Sequence, residues 1–319
     1  MPRRDSRPLR PRKEHTLLYD VLIVGAGPAG LSAALTLGRA RKRVLLCDAG
    51  PRRNAAAEHV HGFVTRDGVT PAEFRRIGRQ QLEPYRNVEV RDVAVEGIRG
   101  ERGAFEVRLT ARQEQARRVL LCTGMIDELP GLDGFRALWG TSIFQCPYCH
   151  GWEAQDRRFA YFAENVERLD FAVLLRGWSA DVVALTDGRY DVPTALRQRL
   201  ESAGVRIDER GMTRLVSKDG RLERVEFVEG GPLGRDVLFA HPPQRHVDVV
   251  RSLALALDSA GLVQADEMSR ETSAPGIYAA GDLVMPAQGA ILAAASGNLA
   301  AARLNHALTA ELATSGGLL

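Results

Sequence analysis

Two thiols two residues apart, Cys146-Pro147-Tyr148-Cys149, can close into a disulfide and reopen, so the pair can store two electrons. Pro147 restricts the loop between them. The pattern predicts Cys149 at the start of a helical turn, where the helix dipole lowers a thiol pKa. His150 follows directly, and an imidazole moves protons near neutral pH without strong perturbation. The competing readings are half of a zinc site for the pair and a surface residue for His150. A structural zinc needs four ligands, typically from two such pairs. Cys47 and Cys122 stand alone at expected strand ends elsewhere and read as buried small apolar residues, so the spacing argues against a metal.

A disulfide couple needs a partner for its electrons, and the run Val21–Gly30 (VLIVGAGPAG) supplies a place for one. Tyr19–Val24 reads as a buried parallel strand, Gly25–Gly30 as a turn, Leu31–Arg39 as a helix and Arg43–Cys47 as the next strand. This is a βαβ unit of about 30 residues, the setting that a dinucleotide fingerprint requires. Gly25 permits the tight turn, Gly27 lets backbone approach a pyrophosphate, and Gly30 lets helix and strand pack closely. The helix N-terminus then presents its dipole and free N–H groups to phosphates. Asp48 falls 18 residues after Gly30, near the spacing at which a carboxylate meets ribose hydroxyls.

Other elements must position these groups. A helix is expected near Ala72–Glu83, and strands at Val88–Val90, Phe105–Leu109 and Arg118–Leu121, the last running into Cys122-Thr123-Gly124. A short strand at Gly276–Ala279 enters Gly281–Asp282, and the Ala-rich Gly289–Leu308 reads as a helix. Between them lies a second α/β unit. It has strands at Arg158–Phe162, Asp181–Leu185, Leu222–Val228 and Asp236–Phe239, and helices at Val166–Leu175 and Pro193–Ala203. The expected fold class is α/β, with two Rossmann-like three-layer dinucleotide-binding domains, the second inserted in the first. The first would cover 17–125 and 244–319, the inserted one 126–243, with a tail over 1–16.

The 319 residues are 45% hydrophobic and 26% charged, ordinary for a soluble globular protein of two domains. No apolar run reaches the length of a membrane span, and the N-terminus has no apolar signal core. Six Lys/Arg against Asp5 and Glu14 give residues 1–15 a charge of +4, so the rest of the chain is near −1 within the net +3. That tail reads as solvated and disordered, and the remaining chain has no basic stripe, so a nucleic-acid partner is not expected. Four cysteines are too few for a secreted disulfide scaffold, which favours a reducing cytoplasm.

The motifs VLIVGAGPAG, Cys122-Thr123-Gly124, CPYCHGWE at 146–153 and YAAGD at 278–282 together resemble the low-molecular-weight thioredoxin reductases and their relatives, the FAD-dependent dithiol oxidases. The likeness runs from about 17 to 310. The segment RNAAAEHVHGFVTRDG at 53–68 looks like the dithiol-oxidase branch, which closes disulfides in small natural products. The resemblance implies a homodimer that binds FAD through Gly25, Gly27, Pro28, Ala29, Gly30, Asp48, Asn54, Ala94, Thr123, Gly124, Gly281, Asp282, Gln288, Gly289 and Ala290. It also implies that Cys149 faces the flavin, that Cys146 exchanges with substrate, and that His150 takes a position where the family usually places an acid or base.

Thioredoxin reductases draw electrons from NADPH at a second fingerprint in the inserted domain. Here Ala163, Asn165 and Arg168 stand where Gly25, Gly27 and Gly30 stand in the first, and Glu164 and Glu167 flank the turn. Side chains and carboxylates at that helix start work against a bound pyrophosphate. Of the family's basic cluster for the 2′-phosphate, Arg189 alone remains. Efficient NADPH use is therefore expected to be lost; the opposing reading is a shifted loop, helped by Arg168, that still binds it. The function that follows is oxidation of a small-molecule or peptide dithiol to a disulfide through Cys146 and Cys149, with O₂ reoxidising FAD. The alternatives are a disulfide reductase fed by ferredoxin or NADPH with a thioredoxin-like partner, and a flavin-binding redox sensor with little turnover.

Overall fold

The computed structural model describes residues 18–50 and 53–316; the tail expected over 1–16 lies outside them. The chain opens with β1 (Leu18–Val24), α1 (Pro28–Arg39) and β2 (Val44–Cys47), followed by α2 (Pro71–Gln80) and β3 (Val88–Arg91). A meander of β4 (Val95–Glu101), β5 (Ala104–Leu109) and β6 (Gln113–Leu121) comes next. After the short β7 (Ile126–Asp127) come α3 (Phe135–Leu138), β8 (Ile143–Phe144), α4 (Pro147–His150) and β9 (Phe159–Phe162). Then follow α5 (Val166–Leu169), α6 (Phe171–Leu175), β10 (Val182–Leu185), α7 (Thr194–Ser202) and β11 (Val205–Asp208). The antiparallel β12 (Met212–Lys218), β13 (Arg221–Phe227) and β14 (Leu233–Gly234) precede β15 (Val237–Ala240) and β16 (Gln244–Arg245). The chain ends with α8 (Asp248–Arg251), β17 (Ile277–Ala279) and α9 (Ala290–Thr314).

Two sheets organise these elements. The first runs β3-β2-β1-β6-β5-β4, with β17 joining β6. Strands β3, β2, β1, β6 and β17 are parallel, whereas β5 and β4 return antiparallel. β1 and β2 are almost wholly apolar because both of their faces are covered. On one face α1 and α9 bury Ala33, Ala34, Leu37, Ala300, Ala301 and Leu304 against Val21, Ile23 and Leu46. On the other, the meander and residues 247–263 close a second core around Leu22, Val107, Val119 and Val250. The second sheet, β11-β10-β9-β15-β8, is parallel throughout. Helices α5–α7 cover one face of it, and α3 with β12–β14 covers the other. The two sheets are thus separate three-layer α/β units. The antiparallel pair β7 and β16 carries the chain out of the first and back into it, through Asp127 opposite Gln244.

Local signals explain where the helices begin. Pro28 occupies the first turn of α1 and Pro71 that of α2, where a missing N–H does no harm. Thr70 caps α2 by accepting the Glu73 N–H at 3.1 Å. The expected helix Val166–Leu175 is instead two short pieces either side of Asp170, where the ladder tightens to i→i+3 bonds such as Val173 to Asp170. β4 was not expected, since its burial is confined to Ile98 and it carries Gly97 and Gly100; β5 holds it in place by pairing.

The contact between α1 and α9 is unusually close. A Cβ placed on Gly297 of α9 would collide with the backbone of Ala29. Gly297→Val should therefore destabilise the protein by ~1–3 kcal/mol through overpacking. A denaturant melt should show the midpoint falling, and an unchanged midpoint would mean that α9 can step away from the fingerprint without loss.

Candidate functional site

At the carboxyl ends of β1, β6 and β17 the chain leaves the sheet three times within a small space. The Gly25 N–H donates to the Cys47 carbonyl (2.8 Å), Cys122 N–H to Val24 (2.8 Å) and Ala280 N–H to Leu121 (2.9 Å). These bonds gather the Gly25–Gly30 turn, Thr123–Gly124 and Gly281–Asp282 at one edge. Gly25 has φ +102°, and a side chain there would strike the Cys122 carbonyl. A Cβ on Gly30 would strike the Gly25 carbonyl oxygen. Gly27 is different: nothing lies within 4 Å of where its Cβ would stand, and it caps α1 with no side-chain hydrogen bond. No side chain closes the start of this 12-residue helix at Gly27, and an uncapped helix start of this kind can receive a phosphate.

The remaining expected contacts lie around this edge. Asp48 ends β2 and is buried, its carboxylate shared by Arg75 and Arg79 of α2 beside a cavity of about 440 Å³. Ala94 follows β3, and Asn54 lies in a short turn, Arg53–Ala56. Gly281 comes close to Ala29, and its N–H donates to Ser296 of α9 (3.0 Å). Gly289 caps α9 and Ala290 begins it. Asp282 Oδ2 accepts from Arg53 (3.1 Å), whereas its Oδ1 is buried with no hydrogen-bond partner. Burial pushes the Asp282 carboxyl up against the pull of Arg53. An orphaned carboxylate oxygen beside an open, uncapped helix start fits a dinucleotide bearing hydroxyls and phosphates.

Cys146 and Cys149 stand as two free thiols, both partly exposed. The helix expected to start at Cys149 instead starts at Pro147, which makes Cys146 its N-cap. The thiol that the helix start favours is therefore Cys146 rather than Cys149. The Cys149 S–H donates to Cys146, the Cys149 and Tyr148 N–H groups do the same, and these bonds with the nearby Arg53 charge lower the Cys146 pKa to about 7 against burial. Cys149 is driven upward by donating its proton, by burial and by the Cys146 and Asp282 charges, with Arg53 opposing. Cys146 is therefore the thiol of the pair that ionises first. The other two cysteines are buried and inert: burial raises Cys47 to about 12 and Cys122 further.

His150 stacks flat on Phe144, ring centres 4.2 Å apart, and neither ring nitrogen has a hydrogen-bond partner of good geometry. Burial lowers its pKa; Glu153 and the Cys146 carbonyl pull it up more weakly, and His61 pushes it down. A buried neutral imidazole with unused nitrogens can take or give a proton. His61 reaches Glu153 and Asp67, each at 3.5 Å, which brings the 53–68 segment against the cysteine loop. Tyr148 and Trp152 are left largely exposed on the open side of the pair.

Sequence reasoning passed over Arg53, Gln145, Asp127 and Gln244, which tie the two sheets together next to the sulfurs. Their signal was positional: Arg53 adjoins Asn54, Gln145 adjoins Cys146, and Asp127 and Gln244 lie where the chain crosses. At the end of β9 the second fingerprint position is closed. Ala163 is fully buried, and its carbonyl accepts from Tyr190 Oη (3.0 Å). Asn165 caps the four-residue α5 with its own side chain on the Arg168 N–H (3.1 Å). Arg189 lies over the Phe162 ring, paired with Asp187 (3.0 Å) and near Glu164 (3.9 Å). Among the described residues no group of three or more His, Cys, Asp or Glu is arranged to hold a metal, and no helix is long and apolar enough to cross a membrane.

In Cys149→Ser the hydroxyl still donates, so alkylation of Cys146 by iodoacetamide should rise with pH through a midpoint near 7, as thiolate forms. In Cys149→Ala the largest support is gone, and the midpoint should move up toward the ordinary ~8.5. Equal midpoints in the two variants, measured by mass spectrometry, would remove the sulfur–sulfur hydrogen bond as the cause.

The family described as pyridine nucleotide-disulphide oxidoreductase matches residues 19–297. A probable thioredoxin reductase of Arthroderma benhamiae is 32% identical over 87% of this chain and 76% of its own length. Thioredoxin reductase aclD of Aspergillus oryzae is 32% identical over 89% of this chain and 94% of its own. Among solved structures, HlmI is 36% identical with a TM-score of 0.87, covering 93% of this chain and 95% of that one. A putative thioredoxin reductase TrxB from Bacillus anthracis is 34% identical with a TM-score of 0.86, covering 92% and 99%. The chain belongs to the pyridine nucleotide-disulphide oxidoreductase family.

Proposed function

We propose that this member of the family oxidises a dithiol, a small molecule or peptide, to a disulfide through Cys146 and Cys149, with FAD at the first fingerprint and O₂ as final acceptor. The observation that carries this reading is the contrast between the two helix starts. α1 is long, uncapped and open at Gly27. α5 is four residues long and capped by Asn165; Ala163, Asn165 and Arg168 stand where a pyrophosphate would need glycines, with Glu164 and Glu167 among them. We take residues 17–125 and 244–319 as the FAD-binding domain and 126–243 as the inserted domain. FAD would be held by the edge from Gly25 to Gly30, by Asp48, Asn54 and Ala94, and by Thr123, Gly124, Gly281, Asp282 and Gln288–Ala290. When bound, it accepts two electrons from the reduced pair and passes them to O₂.

The protein's own steps start from the oxidised pair. A substrate thiolate attacks Cys146 Sγ, forming a mixed disulfide and breaking the Cys146–Cys149 bond, so Cys149 leaves as thiolate. The second substrate thiol gives its proton to His150 and attacks the substrate sulfur of the mixed disulfide, releasing Cys146 and the product disulfide. Cys146 is a good leaving group because the Tyr148 and Cys149 N–H groups stabilise its thiolate, and the Cys149 S–H joins them once Cys149 has taken the proton held by His150. The two protons released by the substrate match the two electrons left on the pair. Cytoplasmic location and a homodimer belong to this proposal by resemblance.

A second reading is favoured by the names of the relatives: a thioredoxin reductase running the same exchange backwards, fed by NADPH or ferredoxin. Anaerobic mixing separates the two. Bleaching of the flavin by a simple dithiol but not by NADPH, with recovery in air, is the expected result. Rapid bleaching by NADPH would return the protein to the reductases. His150→Ala should slow dithiol bleaching ~100-fold, and an unchanged stopped-flow rate would remove His150 from the chemistry.

A further inference from the structure

Arg53 is joined to three separate segments of the chain. Its Nε and Nη2 donate to Asp127 of β7 (2.8 and 2.9 Å). Its Nη1 donates to Asp282 (3.1 Å) and to Gln288 Oε1 (2.5 Å), on the segment between β17 and α9. Its Nη2 also donates to Gln145, the residue before Cys146. The amides close the network: Gln244 Nε2 donates to Asp127 (2.7 Å) and Gln288 (3.0 Å), and Gln288 Nε2 donates to Gln244 (2.8 Å). One guanidinium thus links the loop holding the sulfurs, the strand pair between the two sheets, and the edge bearing Asp282. A planar fork with five N–H donors can make these bonds at once, which an ammonium cannot.

The same group is the cation nearest in effect to both sulfurs: its charge favours the thiolate of Cys146 and of Cys149. Asp282 acts on Cys149 with the opposite sign. His150, with His61 and Glu153 around it, completes the titratable groups on the cysteine loop's side. A neutral residue in place of Arg53 would remove a cation and leave the Asp127 and Asp282 carboxylates uncompensated, so both changes disfavour a thiolate.

We propose that Arg53 is the positioning residue of the redox pair: it clamps the Gln145–Cys149 loop to the Asp282–Gln288 edge and offsets the Asp282 carboxylate that acts on Cys149. This rests on the reading of Cys146 as the substrate-side thiol, and bleaching by dithiol with Arg53 intact tests that reading by itself.

Two substitutions in the FAD-loaded protein separate the charge from the clamp. Arg53→Gln, combined with Cys149→Ser, should raise the iodoacetamide midpoint of Cys146 by about one pH unit, a roughly fivefold loss of thiolate at pH 7. Arg53→Lys in the same background should keep the midpoint, because the charge remains. On the native cysteine pair, however, Arg53→Lys should slow dithiol bleaching ~100-fold, because the sulfurs are no longer held in register. An unmoved midpoint in Arg53→Gln overturns the proposal. So does Arg53→Lys bleaching at the unsubstituted rate, which decides the matter alone if Arg53→Gln does not fold. Lower thermal stability with both readouts unchanged would make Arg53 a structural tie only and likewise overturns it.

Discussion

The space left by absent side chains at the end of β1 is the constraint on which the first half of the molecule depends. Gly25, Gly30 and Gly297 let three backbone segments approach where any Cβ would collide. That approach places α1 against the sheet, with no side chain closing its start. It also draws Thr123, Gly281 and Asp282 to the same edge through the bonds of β6 and β17. The second sheet repeats the strand–turn–helix plan without that space. Ala163 is buried, Asn165 satisfies the helix start internally, and the helix breaks after four residues. The same backbone plan thus yields a glycine-lined helix start in one place and a side-chain-capped one in the other.

The electrostatics of the cysteine loop are just as local. A single turn of helix supplies two N–H groups to Cys146, and the neighbouring thiol supplies a third donor. Hydrogen bonds to the charged form are the strongest available lever on a thiol that is partly removed from water. Burial acts the other way at His150, which is kept neutral and lacks partners for its ring nitrogens. A thiol that ionises readily beside a neutral base pairs a good leaving group with a proton acceptor.

Much of the architecture was legible in the residues. The βαβ unit and the strands Phe159–Phe162 and Val182–Leu185 follow from apolar runs and their breaks. What was misplaced had a tertiary cause. The dipole at the cysteine pair serves Cys146 rather than Cys149, because Pro147 can enter the first turn and shifts the helix start by two residues. β4 has too little burial to betray itself and is held by its partner. Arg53 carried no motif. Its importance comes from residues at 127, 145, 282 and 288, which only the folded chain brings together.

The neck formed by Ile126–Asp127 and Gln244–Arg245 also bears on how the first sheet assembles. β6 must pair with β17, although more than a hundred residues separate Leu121 from Ile277. Closing so long a flexible loop is entropically unfavourable, and the penalty grows with the logarithm of its length. With the neck zipped and everything beyond it packed around its own core, the free ends lie one strand apart. The effective loop then shrinks to a few residues on the β6 side and the stretch from α8 to β17 on the other. Two short paired strands therefore turn one of the most remote contacts in the chain into a nearly local one, lowering its effective contact order.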